Sequence, residues 1–141
     1  MQKNIDSYIE KLENWIIEAF EKKDKYLFQD PAYDLLDEIR GLDNRADFLE
    51  PIFLLIERCP DIDYGGPGPF GTFIEGYYKN GYEEQLIKSL KRKPMPYTVY
   101  LLNRLCNDKT HPNREQYVAL LKTFANSDFL DDYWKQVISE Y

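Results

Sequence analysis

The chain has 141 residues, 43% of them apolar and 30% charged, a composition that excludes disordered and fibrous classes and suits one globular domain over 1–141. Its longest apolar run, residues 52–56, falls far short of the roughly 20 residues needed to span a bilayer, so no membrane partner is expected. The net charge is −7, with 16 acidic and eight basic side chains in residues 1–67 against nine and ten in 68–141. That balance argues against nucleic acid, which needs clustered Lys and Arg, and favours a basic partner; acidity also serves solubility alone.

Residues 5–23 give the clearest helix. Ile5, Tyr8, Ile9, Leu12, Trp15, Ile16, Ala19 and Phe20 recur at three- and four-residue steps and share one face. Residues 25–28 read as a connection. Asp30-Pro31 reads as the start of a second helix, with Asp30 as cap and Pro31 in the first turn, and Leu35, Leu36 and Ile39 inward. Gly41 is its stop. A third helix is expected over residues 45–59. It carries Phe48, Ile52, Phe53, Leu55, Ile56 and Cys59 inward, and Pro51 sits in its first turn if Asp47 is the cap.

Residues 60–69 hold three prolines and three glycines, which rules out regular structure. This is the one long irregular connection, and such loops often carry function. Phe70, Phe73, Ile74, Tyr77 and Tyr78 mark the next helix, closed by Asn80-Gly81. Tyr82, Leu86, Ile87 and Leu90 mark another, whose basic end complements the helix dipole. Val99, Leu101, Leu102, Leu105 and Cys106 follow Pro94-Met95-Pro96. Asn113 with Gln116 resembles a capping box ahead of Tyr117, Val118, Leu120, Leu121 and Phe124. Ser127 or Asp128 is expected to cap the last helix, with Leu130, Tyr133, Trp134, Val137 and Ile138 inward.

The expected fold is therefore all-α, about eight short helices in a compact bundle. Ile52, Phe53, Ile56 and Pro60 align with Leu86, Ile87, Leu90 and Pro94 at a spacing of 34, and Leu120, Leu121 and Phe124 follow at a further 34. Such an echo marks stacked helical hairpins of the HEAT type, or arises because any amphipathic helices align at some offset.

No local signature of catalysis stands out. His111 is the single histidine and reads as a surface loop residue, since metal sites and nucleophile–base pairs need more partners. Cys59 and Cys106 lie among apolar neighbours without a basic cluster, which favours two reduced core thiols and a cytoplasmic setting, as does the lack of an export signal. Asp61-Ile62-Asp63 lacks the further oxygen ligands of a calcium loop. The neighbouring glycines are broken up by prolines, which cannot cradle phosphate. Paired acids such as Asp37-Glu38, Glu83-Glu84 and Asp131-Asp132 read as solvated faces. Lys91-Arg92-Lys93 is explained by its helix end. No cofactor, metal or enzyme activity is expected.

Three stretches carry a family resemblance. They are residues 48–58, from Phe48-Leu49-Glu50-Pro51 to Glu57-Arg58; the run Pro60-Asp61-Ile62-Asp63-Tyr64-Gly65-Gly66-Pro67-Gly68-Pro69; and Lys91-Arg92-Lys93-Pro94 leading to Tyr97-Thr98-Val99-Tyr100-Leu101-Leu102-Asn103-Arg104. Over roughly residues 45–125 the chain resembles small all-helical bacterial immunity proteins of polymorphic toxin systems. The resemblance implies a protein that neutralises one cognate toxin by tight complex formation, and the acidic half suits a basic nuclease toxin. A helical-repeat adaptor that holds a peptide or protein in a groove is the alternative. The expected toxin-contact surface is the 61–70 loop with the exposed acids beside it, and Asp61, Asp63, Tyr64 and Phe70 are candidates, because charge beside an aromatic anchor makes a hot spot. The same residues also suit a plain structural role, with Asp61 capping a turn and Tyr64 in the core.

Overall fold

Hydrophobic stripes at helical spacing account for every regular element. The computed structural model describes residues 2–141, with side chains from Ile5 onward, and among these residues the chain is all-helical with no strand. The elements are α1 (Gln2–Lys22), α2 (Tyr26–Arg40), a 3₁₀ helix (Arg45–Phe48), α3 (Leu49–Arg58), α4 (Gly68–Glu75), α5 (Tyr82–Arg92), α6 (Pro96–Cys106), α7 (Arg114–Lys122) and α8 (Asp132–Ser139). They fall into two compact units, one ending at Ile87 and the other spanning Lys88–Tyr141, so the division lies inside α5.

In the first unit α1 and α2 form a helical hairpin, and α1 also packs on α3 while α2 packs on α4. Leu12, Ile16, Phe28, Leu36, Ile39, Ile52, Phe53, Phe70 and Phe73 are all but inaccessible to solvent. Each such side chain stabilises the fold by about 1.5–3 kcal/mol, so this apolar set is what holds the unit together. Aromatic edges add direction: Tyr8 meets Phe48 edge-on at 5.7 Å, and the Arg40 guanidinium lies 5.7 Å from the centre of the Phe73 ring.

The turn between α1 and α2 determines where α2 begins. The Lys23 and Asp24 N–H groups donate to the Phe20 and Ala19 carbonyls, a Schellman pattern, with Lys23 in the left-handed region at φ 55°. Asp24 Oδ1 then accepts from the Tyr26 N–H at 3.0 Å. Thus α2 starts at Tyr26 and not at Asp30-Pro31, and Pro31 lies inside the helix. Phe28 is fully buried and Gln29 nearly so, and their placement favours the extra turn despite the amide bond that Pro31 forgoes. Pro51, by contrast, falls in the first turn of α3 because the 3₁₀ helix precedes it.

In the second unit α7 packs on α6 and on α8. Leu101, Leu102, Leu105, Cys106 and Leu121 form its buried centre. The Thr98 hydroxyl ties down the start of α6, accepting from the Met95 N–H at 3.3 Å and donating to the Met95 carbonyl at 3.2 Å. The Arg114 Nε donates to the Cys106 carbonyl at 2.8 Å, and the Tyr141 hydroxyl donates to Asn103 Oδ1 at 2.6 Å.

Two caps differ from expectation. Asp131 caps α8, accepting from the Trp134 N–H at 3.0 Å, because the chain from Ser127 to Leu130 is still turning. Asn113 makes no side-chain cap on α7; its own N–H donates to His111 Nδ1 at 3.0 Å. His111 is consequently buried, with its ring against Tyr117 at 5.0 Å, and is not a surface residue.

The 34-residue echo has a positional basis, since α3, α5 and α7 begin at residues 49, 82 and 114. The pairings do not repeat: α3 packs on α1 and the 3₁₀ helix, whereas α7 packs on α6 and α8. What recurs is a buried stripe and not one packing unit.

Lys23 supplies a test of the hairpin turn. A left-handed residue with a Cβ is strained, and Gly relieves that strain. Lys23→Gly is expected to raise stability by about 0.5–1 kcal/mol, seen as a higher urea midpoint at unchanged slope. A lower midpoint contradicts the turn geometry.

Candidate protein-binding site

The 59–69 connection is ordered by a small number of contacts. Tyr64 lies 2% exposed between two fully buried rings, with Phe28 edge-on at 5.8 Å and Phe70 at 5.6 Å, and those two rings are 5.1 Å apart. Each aromatic pair adds about 0.5–1.5 kcal/mol beyond its buried area. The Tyr64 hydroxyl donates to the Cys59 carbonyl and so closes the loop on itself. Gly65, at φ 97°, is where the chain reverses; a Cβ there would meet the Gly68 Cα at 2.5 Å. No other residue type fits.

Asp63 is the second anchor. Its carboxylate accepts from the Gly65 N–H at 2.8 Å and from the Lys25 ammonium at 3.1 Å, while Gln29 Nε2 donates to its carbonyl at 2.9 Å. The Gly65 N–H, and after it Lys25, hold the Asp63 carboxyl below the usual range against the opposing effect of partial burial. Lys25, Phe28 and Gln29 lie three and four residues apart at the start of α2, so one helix face grips the loop.

Of the four expected contact residues, Asp61 and Asp63 are exposed, and Tyr64 and Phe70 are not. Tyr64 and Phe70 are core residues in the structure, each with the Phe28 ring against it. Asp63 is exposed, with its carboxylate held by Lys25 and the Gly65 N–H. Asp61 is exposed and has no ion pair among the described residues.

What the loop displays is its first part. Pro60, Asp61 and Ile62 line an apolar hollow of ≈ 300 Å³ with Ile16, Ile17 and Phe20 of α1. A second hollow, ≈ 650 Å³, adjoins it toward Asp24 and Tyr26, and the two share Phe20, Glu21, Asp61 and Ile62. Phe20 is 57% exposed, Ile17 44% and Tyr26 57%, an unusual density of open apolar surface. Phe20 belongs to the inward stripe of α1 by spacing, yet a groove and not a helix lies over it. Ile17 sits off that stripe, and this displacement was the sequence signal for a second apolar face.

Charge around the groove is not balanced. Lys25 is paired with Asp63, and Arg58 with Glu13 at 3.1 Å. Lys22, on the same turn of α1, is paired with Glu18. Among the described residues Glu21, Asp24 and Asp61 on the rim have no ion pair, against Lys23 as a cation without one.

Among the described residues no group of three His, Cys, Asp or Glu side chains is disposed to hold a metal. Neither Cys59 nor Cys106 is in a disulfide, and burial pushes the Cys106 thiol up to about 11, far from a reactive thiolate. A wider hollow of ≈ 760 Å³ lies at the other end of α1, lined by Ile5, Asp47, Glu50, Leu54 and Glu84. Among the described residues no helix is long and apolar enough to cross a membrane. No protein-family model, curated protein or solved structure matches the chain.

Tyr64→Phe isolates the loop-closing hydrogen bond. It removes that hydrogen bond while keeping the ring, and is expected to cost about 1–2 kcal/mol. Tyr64→Ala is expected to cost roughly 3–5 kcal/mol through the cavity it leaves. Urea unfolding of both variants checks the order; equal losses mean that the hydroxyl does not close the loop.

Proposed function

We propose that this chain is an immunity-type inhibitor, a cytoplasmic protein that binds one cognate toxin tightly and carries out no reaction itself. The toxin is a basic protein of the nuclease class. The observation that carries this reading is the division of charge between the two units. Residues 1–87 hold 19 acidic and nine basic side chains, net −10, and residues 88–141 hold six and nine, net +3. Charge this concentrated steers a basic partner and speeds its capture, while repelling nucleic acid. Carboxylates placed this way take the positions that a nuclease reserves for phosphates.

An adaptor that holds a peptide is the second reading, favoured by the open groove at Phe20 and Ile62. The two readings part on whether a toxin exists. The test is co-expression with the protein encoded immediately upstream, with growth and pull-down as readouts. Restored growth and a complex that weakens about tenfold or more in roughly 1 M salt are expected. Toxicity that this chain does not relieve contradicts the inhibitor; absence of both toxicity and a complex favours the adaptor.

A further inference from the structure

We infer that the groove between the end of α1 and residues 60–62 is the anchor site for a short basic segment carrying one large apolar side chain. The inference deepens the proposed function by naming what the partner presents, and it rests on that reading only in calling the partner a toxin.

Three observations converge. The ≈ 300 Å³ hollow has an apolar floor of Ile16, Phe20 and Ile62, enough for a side chain and far too small for a domain. Phe20 and Ile17 are exposed at a cost in hydration that a plain surface would avoid. Glu21 and Asp61 stand on the rim of both hollows, exposed and without an ion pair among the described residues. An apolar floor edged by two open carboxylates is complementary to an apolar residue flanked by Lys or Arg. The exposed Phe20 ring adds a face for a cation to stack on.

Other occupants fit worse on charge. A second copy packed symmetrically through this groove would set Glu21 and Asp61 against their own counterparts, and like charges at an interface oppose binding. Anionic lipid and nucleic acid are repelled for the same reason. A basic segment gains both terms at once: burial of its apolar side chain, and charge pairing beside a surface from which water is leaving.

The probes are dye-labelled synthetic peptides read by fluorescence anisotropy: a lysine- and arginine-rich peptide with a central leucine, its leucine-to-alanine form, and a glutamate-rich counterpart. The intact chain is compared with Phe20→Ser, with the double variant Glu21→Lys/Asp61→Lys, and with Phe129→Ser, an exposed aromatic of the other unit. All four positions are at the surface, and circular dichroism confirms that each variant is folded. The basic peptide is expected to bind the intact chain and Phe129→Ser alike. Loss of the peptide's leucine, or Phe20→Ser, is expected to weaken binding about tenfold or more, as for an anchor residue. The double lysine variant is expected to lose the basic peptide and gain the glutamate-rich one. Equal binding by Phe20→Ser, or indifference to the peptide's leucine, overturns the inference and leaves only diffuse charge attraction. Peptide binding without toxin relief removes the inhibitor and keeps the groove; toxin relief with unchanged potency in Phe20→Ser and the double lysine variant does the reverse.

Discussion

The contact on which the rest of the first unit depends is the seating of Tyr64 between Phe28 and Phe70. A segment as rich in Pro and Gly as residues 60–69 has no ladder or helix to order it. Ordering it costs about 1–2 kcal/mol per residue in backbone entropy alone. Buried rings from α2 and α4, one hydroxyl bond to the Cys59 carbonyl and the Asp63 contacts with Lys25, Gln29 and Gly65 offset that cost. The consequence is directional. With Tyr64 and Phe70 buried, Pro60, Asp61 and Ile62 are left lining the hollow against α1.

Charge and apolar surface then coincide on the same few residues. Of the basic groups that line the two hollows, Lys25 is committed to Asp63 and Arg58 to Glu13, which leaves Lys23. These exposed pairs are worth little to stability, with a median near 0–1 kcal/mol. Their larger effect is on the surface potential, because they leave Glu21 and Asp61 uncompensated beside Phe20. In the proposed function, the acidic field brings a basic partner in and the apolar hollow gives it somewhere to stop. The first sets the rate of encounter and the second sets how long the complex lasts.

Much of this fold is legible in the amino-acid sequence, because its helices are amphipathic and repetition at 3.6 residues is a strong signal. The stripe from Ile5 to Ala19, the stop at Gly41 and the buried runs of α5 and α6 follow from spacing alone. Sequence and structure part where a local signal competes with a distant one. Asp30-Pro31 has the chemistry of a helix start, but Phe28 is drawn into the core by Tyr64 and Phe70, and α2 begins earlier. His111 reads as a surface loop residue, but its Nδ1 accepts from the Asn113 N–H and its ring meets Tyr117, so the loop position is buried. Tyr64 and Phe70 had the composition of hot-spot residues, and nothing in a single chain distinguishes an aromatic that faces a partner from one that faces its own Phe28. Phe20 shows the converse, since a stripe position reads as buried whether or not a neighbour arrives to cover it.

The measurement that bears most directly on this account is a set of nuclear Overhauser contacts among aromatic and methyl protons in the uniformly labelled protein. Cross-peaks from the Tyr64 ring to both the Phe28 and Phe70 rings are predicted, as is an Ile62 methyl group that gives none of these. Averaged Tyr64 ring shifts without contacts to Phe28 or Phe70 would show that the loop is not seated, and the groove built on it would fall with it.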